Sequence, residues 1–279
     1  MAVTLTQSDG KFYEQLPDGP QQTGDIWTGV PNGGLLPIER SSALLITPSC
    51  DLQNQKSDTL SFVPIIPLNI ATELGVFRRP INGAIGNLVS QVFPELVQNC
   101  DFESEEFRKR LRKECEAFVG KSKIEKNVNK IVHWINFLES EPFKRNLKLL
   151  FLSPKERIQT LSRVITNAFS SDLHFVPKER NSNSYQAVTC HSVCLLRYVL
   201  TFPIEIFDMA GHCTTETWQM QAKSLGGRAR LFHDQMPVRT LRLQPDILSD
   251  LLTRFVSLYC RIGSEDFSPS CVSELVGEM

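Results

Sequence analysis

The 279 residues carry a formal net charge of −1, with 22% charged and 41% hydrophobic residues. This balance excludes an extensively disordered chain and a wholly basic nucleic-acid binder, and the length suits two units or one barrel with a large insertion. No apolar run approaches the roughly 20 residues of a membrane helix, no leader precedes residue 40, and the eight cysteines lack a secreted scaffold's dense spacing, so a cytoplasmic protein with free thiols and no membrane partner is expected.

Residues 1–23 contain Asp18-Gly19-Pro20 and no sustained period, which reads as a flexible N-terminal arm. A short strand is expected from Gly24-Asp25-Ile26-Trp27, with Gly24 and Asp25 supplying turn chemistry, and a loop follows at Val30 to Gly34. Ala43 to Ile46 is apolar on both faces and runs into a polar corner, Thr47-Pro48-Ser49-Cys50-Asp51. Leu60 to Leu68 reads as its hairpin partner, with Pro64 and Pro67 placing it at an edge or a bulge.

Between about residues 70 and 170 the pattern turns helical. Phe102, Phe107, Leu111, Cys115, Phe118 and Val119 recur at mostly helical spacing; a second helix is expected over Asn127 to Glu139. A third runs from Pro154 to Phe169, with Ser153 as N-cap and Glu156 three residues later. From Asp101 to Thr160 there are 14 Lys and Arg against 10 Asp and Glu, so this stretch is +4 and the rest is −5. Strand character returns at Leu173 to Val176, then over Tyr185 to Leu196 after a turn at Asn181 to Ser184, and within Arg228 to Leu243. The last element is a helix from Pro245 to Ile262, stopped by Gly263, which plugs or flanks the sheet.

The expected fold class is therefore α+β: a small curved β-barrel with a large helical insertion and a C-terminal helix. The division is an arm over 1–23, a barrel core over 24–69 and 171–263, a helical insertion over 70–170 and a tail over 264–279.

Several residue groups invite chemistry. Cys50, at a strand-end corner beside Ser49 and Asp51, is a candidate nucleophile with five histidines elsewhere as bases; a buried free cysteine with Asp51 capping the turn is the plainer alternative. Cys190-His191-x-x-Cys194 with His212-Cys213 matches a zinc site only loosely, because alternate strand residues face opposite ways, and neither metal nor another cofactor is expected. Arg108 to Lys113 could track phosphates while Phe107, Trp134 and Phe137 stack bases; the interleaved glutamates instead suit an ordinary solvated face. Phosphate loops, dinucleotide fingerprints and His-Glu-x-x-His are absent from the sequence.

Gly24-Asp25-Ile26, then Arg40 before Ala43 to Thr47, then Phe62-Val63-Pro64-Ile65-Ile66-Pro67-Leu68, resembles the first three strands of MazF/PemK-like barrels over about residues 24–69. A broader similarity is to uncharacterised bacterial proteins that pair a Gly-Asp-Ile start and a Ser-Cys-Asp corner, here Gly24-Asp25-Ile26 and Ser49-Cys50-Asp51, with a late Arg-Ile-Gly, here Arg261-Ile262-Gly263. The MazF/PemK resemblance implies a phosphate contact for Arg40. The family's threonine after the third strand is replaced by Asn69, its proline after the arginine by Ser41-Ser42, and a helical insertion is foreign to the minimal toxins. These departures point to a non-catalytic regulatory or accessory protein acting through contacts with another protein of a bacterial stress-response or phage-defence module, with a homodimer as a further option. The alternatives are a metal-independent endoribonuclease acting on RNA, using Arg40 with Asn69, Asp51 or Cys50, and an effector that a protease cleaves to release a bound partner.

Overall fold

The structure, a computed structural model, describes residues 12–34, 36, 38–73, 77–99, 101–118, 122–140, 153–179 and 187–260. Its centre is one antiparallel meander. Strand β2 (Asp25–Pro31) pairs with β3 (Arg40–Leu45), which pairs with β4 (Thr59–Pro67), and the five-residue helix α1 (Ser49–Gln53) fills the β3–β4 connection. The other strands are β1 (Tyr13–Gln15), β5 (Leu173–Val176), β6 (Ser192–Leu195), β7 (Leu200–Pro203) and β8 (Val238–Leu243). The ladder runs β1-β8-β2-β3-β4-β6-β5, with β7 attached to β4 off this path.

β4 is central, paired on both sides, where its prolines predict an edge. The resolution lies in register: Thr59 to Phe62 pair with β7, Ile65 to Pro67 pair with β6, and Pro64 falls where one partner gives way to the other. There the missing N–H forfeits no ladder bond on that side. β6 and β7 are in effect one strand interrupted at residues 196–199.

The sheet is curved and open, where the sequence predicts a closed barrel. Side chains from β1 and from Val176 on β5, the two ends of the ladder, meet in one cluster with Ile26, Leu44, Val63, Ile65 and Leu241, so this face is the inside of the curl. Across the gap the Tyr13 hydroxyl donates to the Pro177 carbonyl and the Gln15 amide to Glu179 (2.8 Å). Burial pushes the Tyr13 phenol pKa well above its usual value, which keeps it a neutral donor. Tyr13 to Gln15 thus belong to the sheet, paired with Leu241 to Leu243 of β8 and with the Tyr13 side chain buried, where the sequence predicts a loose arm over 1–23. Residues 1–11 of that arm, residues 180–186 with the expected Asn181 to Ser184 turn, and the Arg261-Ile262-Gly263 end with the 264–279 tail lie outside the described residues.

Strand alternation splits the meander between two sides, which explains its unbroken apolar character. Leu44 and Val63 face inward, while Ala43, Leu45, Leu60 and Phe62 face a second cluster built with helices α7 (Ile204–His212), α8 (Thr215–Ser224) and the 3-10 helix Gly226–Phe232. The third cluster joins Ile66, Phe175 and Val193 to the helices between β4 and β5: α2 (Leu68–Glu73), α3 (Arg78–Val92), α4 (Glu105–Ala117), α5 (Ser122–Glu139) and α6 (Pro154–Ile165). The predicted Ser153 cap is present, its hydroxyl accepting from the Glu156 N–H (3.3 Å). α5 starts five residues earlier than the periodicity predicts, and within Arg228 to Leu243 only Val238–Leu243 is strand.

The inside of the curl is filled by α9 (Pro245–Tyr259), through Leu251 and flanking apolar residues. Gly24 makes this docking possible: its φ is +96°, and an added Cβ would stand 2.7 Å from Leu248 Cδ2. At the other edge of α9, buried His174 on β5 shares a 3.0 Å hydrogen bond between Nε2 and Asp250. Burial lowers the His174 pKa more than Asp250 raises it, so the ring is neutral and Nε2–H donates to the carboxylate.

Candidate functional site

The four residues singled out from the sequence occupy two places. Antiparallel pairing of β3 with β4 brings Arg40, which opens β3, to the same end of the hairpin as Asn69, an exposed residue in the first turn of α2. Cys50 and Asp51 lie in α1 at the opposite end, and six residues of strand separate the pairs by roughly 20 Å. They form no single constellation.

Arg40 is spoken for by backbone. Its Nη1 donates to the Gly29 carbonyl (2.9 Å) and its Nη2 to the Leu231 carbonyl (2.7 Å). Gly29, at φ +72°, marks a one-residue bulge where the β2–β3 register shifts between Trp27 and Val30. The guanidinium therefore ties a bulge carbonyl to the 3-10 helix.

Cys50 is exposed, where the plainer reading makes it buried, and its Sγ has one partner, Asp51 Oδ1 at 3.6 Å. Asp51 does not cap α1, which starts at Pro48 without a side-chain cap. The corner's polar work falls instead to Thr23, Thr47 and Ser49. Thr23 Oγ1 donates to the Thr47 carbonyl (2.6 Å), Ser49 Oγ accepts the Thr23 N–H (3.0 Å), and Thr47 Oγ1 accepts the Ser61 N–H (2.7 Å).

Cys190, Cys194, His212 and Cys213 are dispersed. Cys194 is buried in the β4–β6 ladder, where burial drives its thiol pKa far up, and His191 Nδ1 accepts the Lys178 N–H (3.1 Å). Among the described residues no group of three or more His, Cys, Asp or Glu is placed to hold a metal ion. Phe107, Trp134 and Phe137 are buried in the helical cluster, so base stacking on them is ruled out, while Lys109 and Arg112 pair with Glu105 and Glu139 on the solvated side.

Gly24-Asp25 does more than turn the chain. Asp25 is fully buried and its carboxylate accepts three bonds, from Arg242 Nε (2.6 Å), Arg239 Nη1 (3.2 Å) and the Gln22 N–H (2.8 Å), and its place opposite Arg242 on β8 fixes the pair. Arg239 also donates from Nη2 to the Gly19 carbonyl (2.7 Å), binding the N-terminal segment down.

Beside this clamp the structure holds a cavity of about 520 Å³ that no sequence motif announces. Its floor is Trp27 against Phe207 of α7, ring centroids 5.0 Å apart and edge-on, and its walls come from Leu16, Pro17, Gly19 to Gln21 and Met236 to Arg239. Trp27 is 4% exposed, and its indole N–H has no partner. The other two tryptophans are satisfied: Trp134 donates to Asn82 (2.8 Å) and Trp218 to the Phe232 carbonyl (2.7 Å). Gln21 Oε1, also buried and unpartnered, faces the same question, while its Nε2 donates to Asp208 Oδ1 (2.9 Å). Asp208 and His212, one helical turn apart on α7, stand at the exposed rim. Crowding by protein atoms raises the Asp208 carboxyl pKa, and the His212 side chain opposes that shift.

Compared with protein-family models, curated proteins and solved structures, the chain matches none significantly. Function must be argued from this geometry. Trp27, Gln21, Asp208 and Arg239 come from four separate segments, and only an indole in a strand next to Gly24-Asp25 could have drawn attention to any of them.

Proposed function

We propose that the chain is a non-catalytic regulatory or accessory protein with a MazF/PemK-like open barrel, acting through contacts with another protein of a bacterial stress-response or phage-defence module. The observation that carries this reading is the engagement of Arg40 by the Gly29 and Leu231 carbonyls, which turns the one residue with a phosphate-binding precedent into a structural clamp. Curvature of the β2–β3–β4 meander and the plugging of its interior by α9 support the barrel analogy. A surface for contacts is available on α9, where Leu248, Leu252 and Val256 line an outward groove and Val256 is 54% exposed.

The endoribonuclease alternative has one observation in its favour: Arg40 and exposed Asn69 share an end of the hairpin. Incubation of the pure protein with long unstructured RNA, without metal, separates the readings. Intact RNA is expected, together with an Arg40→Ala variant less stable by about 1–2 kcal/mol in urea, as charged bonds to two carbonyls are lost. Cleavage that disappears in Arg40→Ala while the variant stays folded overturns the proposal in favour of the nuclease.

A further inference from the structure

On the helical side of the molecule, α5 from Lys126 to Asn136 and the first turn of α6 wall an open polar groove of about 970 Å³. Its Lys and Asp/Glu lining is three lysines, Lys126, Lys130 and Lys155, against one acid, Glu156. That acid is already engaged within the wall: Oε1 pairs with Lys130 Nζ (2.5 Å) and Oε2 accepts the Ser153 hydroxyl (3.1 Å). Lys126 and Lys155 are exposed and, among the described residues, form no ion pair. Lys155 also stands where a cation is least favoured, directly after Pro154 in the first turn of α6, at the positive pole of the helix dipole. The stretch from Asp101 to Thr160 that holds the groove is +4, against −5 for the rest of the chain. The unmet charge in the groove is therefore positive, and it faces water.

The dimensions and the lining define what fits. Lys126 to Asn136 span about 15 Å of helix, the reach of four or five residues of extended chain. Lys126 and Lys130 are one turn apart, about 6 Å along the axis, close to the roughly 6.6 Å between alternate side chains of an extended strand. Asn129 and Asn136, both exposed in the groove, carry amides that suit a peptide backbone. Phe, Tyr and Trp are absent from the described lining, and Trp134 and Phe137 of the same helix are buried, so the stacking platform of a single-stranded nucleic-acid site is missing.

We infer that this groove binds an extended acidic segment of the partner protein, with Asp or Glu at alternate positions meeting Lys126, Lys130 and Lys155 and the segment's backbone on the asparagine amides. Such docking rests on the partner-contact reading proposed above and gives the partner a second surface in addition to the α9 groove.

Fluorescence anisotropy of a labelled, alternating Glu-Ser peptide titrated with the full chain tests the docking without the partner. Its failure is thus distinct from failure of the partner-contact reading, which the RNA and Arg40→Ala measurements address. Saturable binding is expected, weakening at least about fivefold as ionic strength rises from about 0.01 to 0.15 M. Lys126→Gln and Lys155→Gln should each weaken it about threefold or more, while Lys223→Gln, which removes an exposed lysine of α8 away from the groove lining, leaves it unchanged. All three lysines are exposed, so the variants keep the fold. Absence of saturable binding up to about 0.5 mM protein overturns the inference. Equal losses in Lys126→Gln and Lys223→Gln, an affinity unmoved by Lys155→Gln, or tighter binding of an oligouridylate of matched length overturns it as well.

Discussion

Consecutive residues of the N-terminal segment serve two carboxylates in opposite circumstances. The Gln22 backbone N–H donates to Asp25, and the Gln21 side chain donates to Asp208. Around Asp25 both carboxylate oxygens carry charged or backbone donors and the carboxylate itself is fully buried; Asp208 is exposed and takes one amide donor from Gln21, and unpartnered buried atoms stand near each, Arg242 Nη2 by Asp25 and Trp27 Nε1 and Gln21 Oε1 near Asp208. The difference separates a buried carboxylate that ties three segments together from one at a solvent-facing rim. A buried polar group whose partners are supplied by the chain stabilises the fold, and one whose partners are missing is available to something else.

The strongest way to break the comparison is at Asp25. Asp25→Ala leaves the largely buried Arg239 without a carboxylate partner and Arg242 with only Glu14 at 3.4 Å, and is expected to cost about 3–5 kcal/mol in denaturant unfolding. A loss below about 1 kcal/mol would place Asp25 among ordinary surface ion pairs. Next comes Gly24, where Gly24→Ala imposes a Cβ at φ +96° against Leu248 and is expected to cost about 1–2 kcal/mol by the same assay.

A smaller effect is a pH slope from His174. Its folded pKa lies below the 6.5 of the free ring, so the unfolded chain binds the extra proton first. Stability is therefore full above about pH 6.5, falls as pH drops from there through the lowered folded value, and levels off beneath it. Asp250 and Arg254 on α9 are the charged groups that face the ring. Melting temperatures compared between about pH 7.5 and pH 5 should show this slope in the wild type and a shallower one in His174→Gln. The smallest change is expected at Asp208. Its carboxyl pKa is raised in the fold, so stability declines as pH rises past the unfolded value of 3.8, and Asp208→Asn removes that decline. Because the group is exposed, the variant should match or slightly exceed wild-type stability at neutral pH, within about 0.5 kcal/mol. A large loss there would make the rim structural and erase the contrast with Asp25.

How far these features were legible depends on the range of the interactions behind them. Ser153-Pro154 announces its helix because a cap and a first-turn proline act within four residues. Pro245 and the apolar stripe behind it announce α9 in the same way, and Ala43 to Ile46 reads as a strand covered on both faces, as Leu44 and Leu45 are. Pro64 misleads because its tolerance depends on β7 stopping where β6 begins, a fact set by residues more than a hundred positions away. Arg40 reads as a phosphate ligand because its chemistry suits one, while its actual partners are a bulge carbonyl next door and Leu231.

The sequence by itself determined what short-range physics can determine: an α+β chain, a hydrophobic β2–β3–β4 meander, capped helices between β4 and β5, and a terminal helix amphipathic enough to plug a sheet. Tertiary structure alone decided that the sheet stays open, that Tyr13 to Gln15 join it, that Asp25 becomes the partner of two arginines over two hundred positions away, and that Trp27, Gln21, Asp208 and Arg239 surround one cavity. The physical reason is common to all four. Each depends on whether a distant polar group arrives to complete a hydrogen bond or leaves it open, and spacing along a chain carries no record of that.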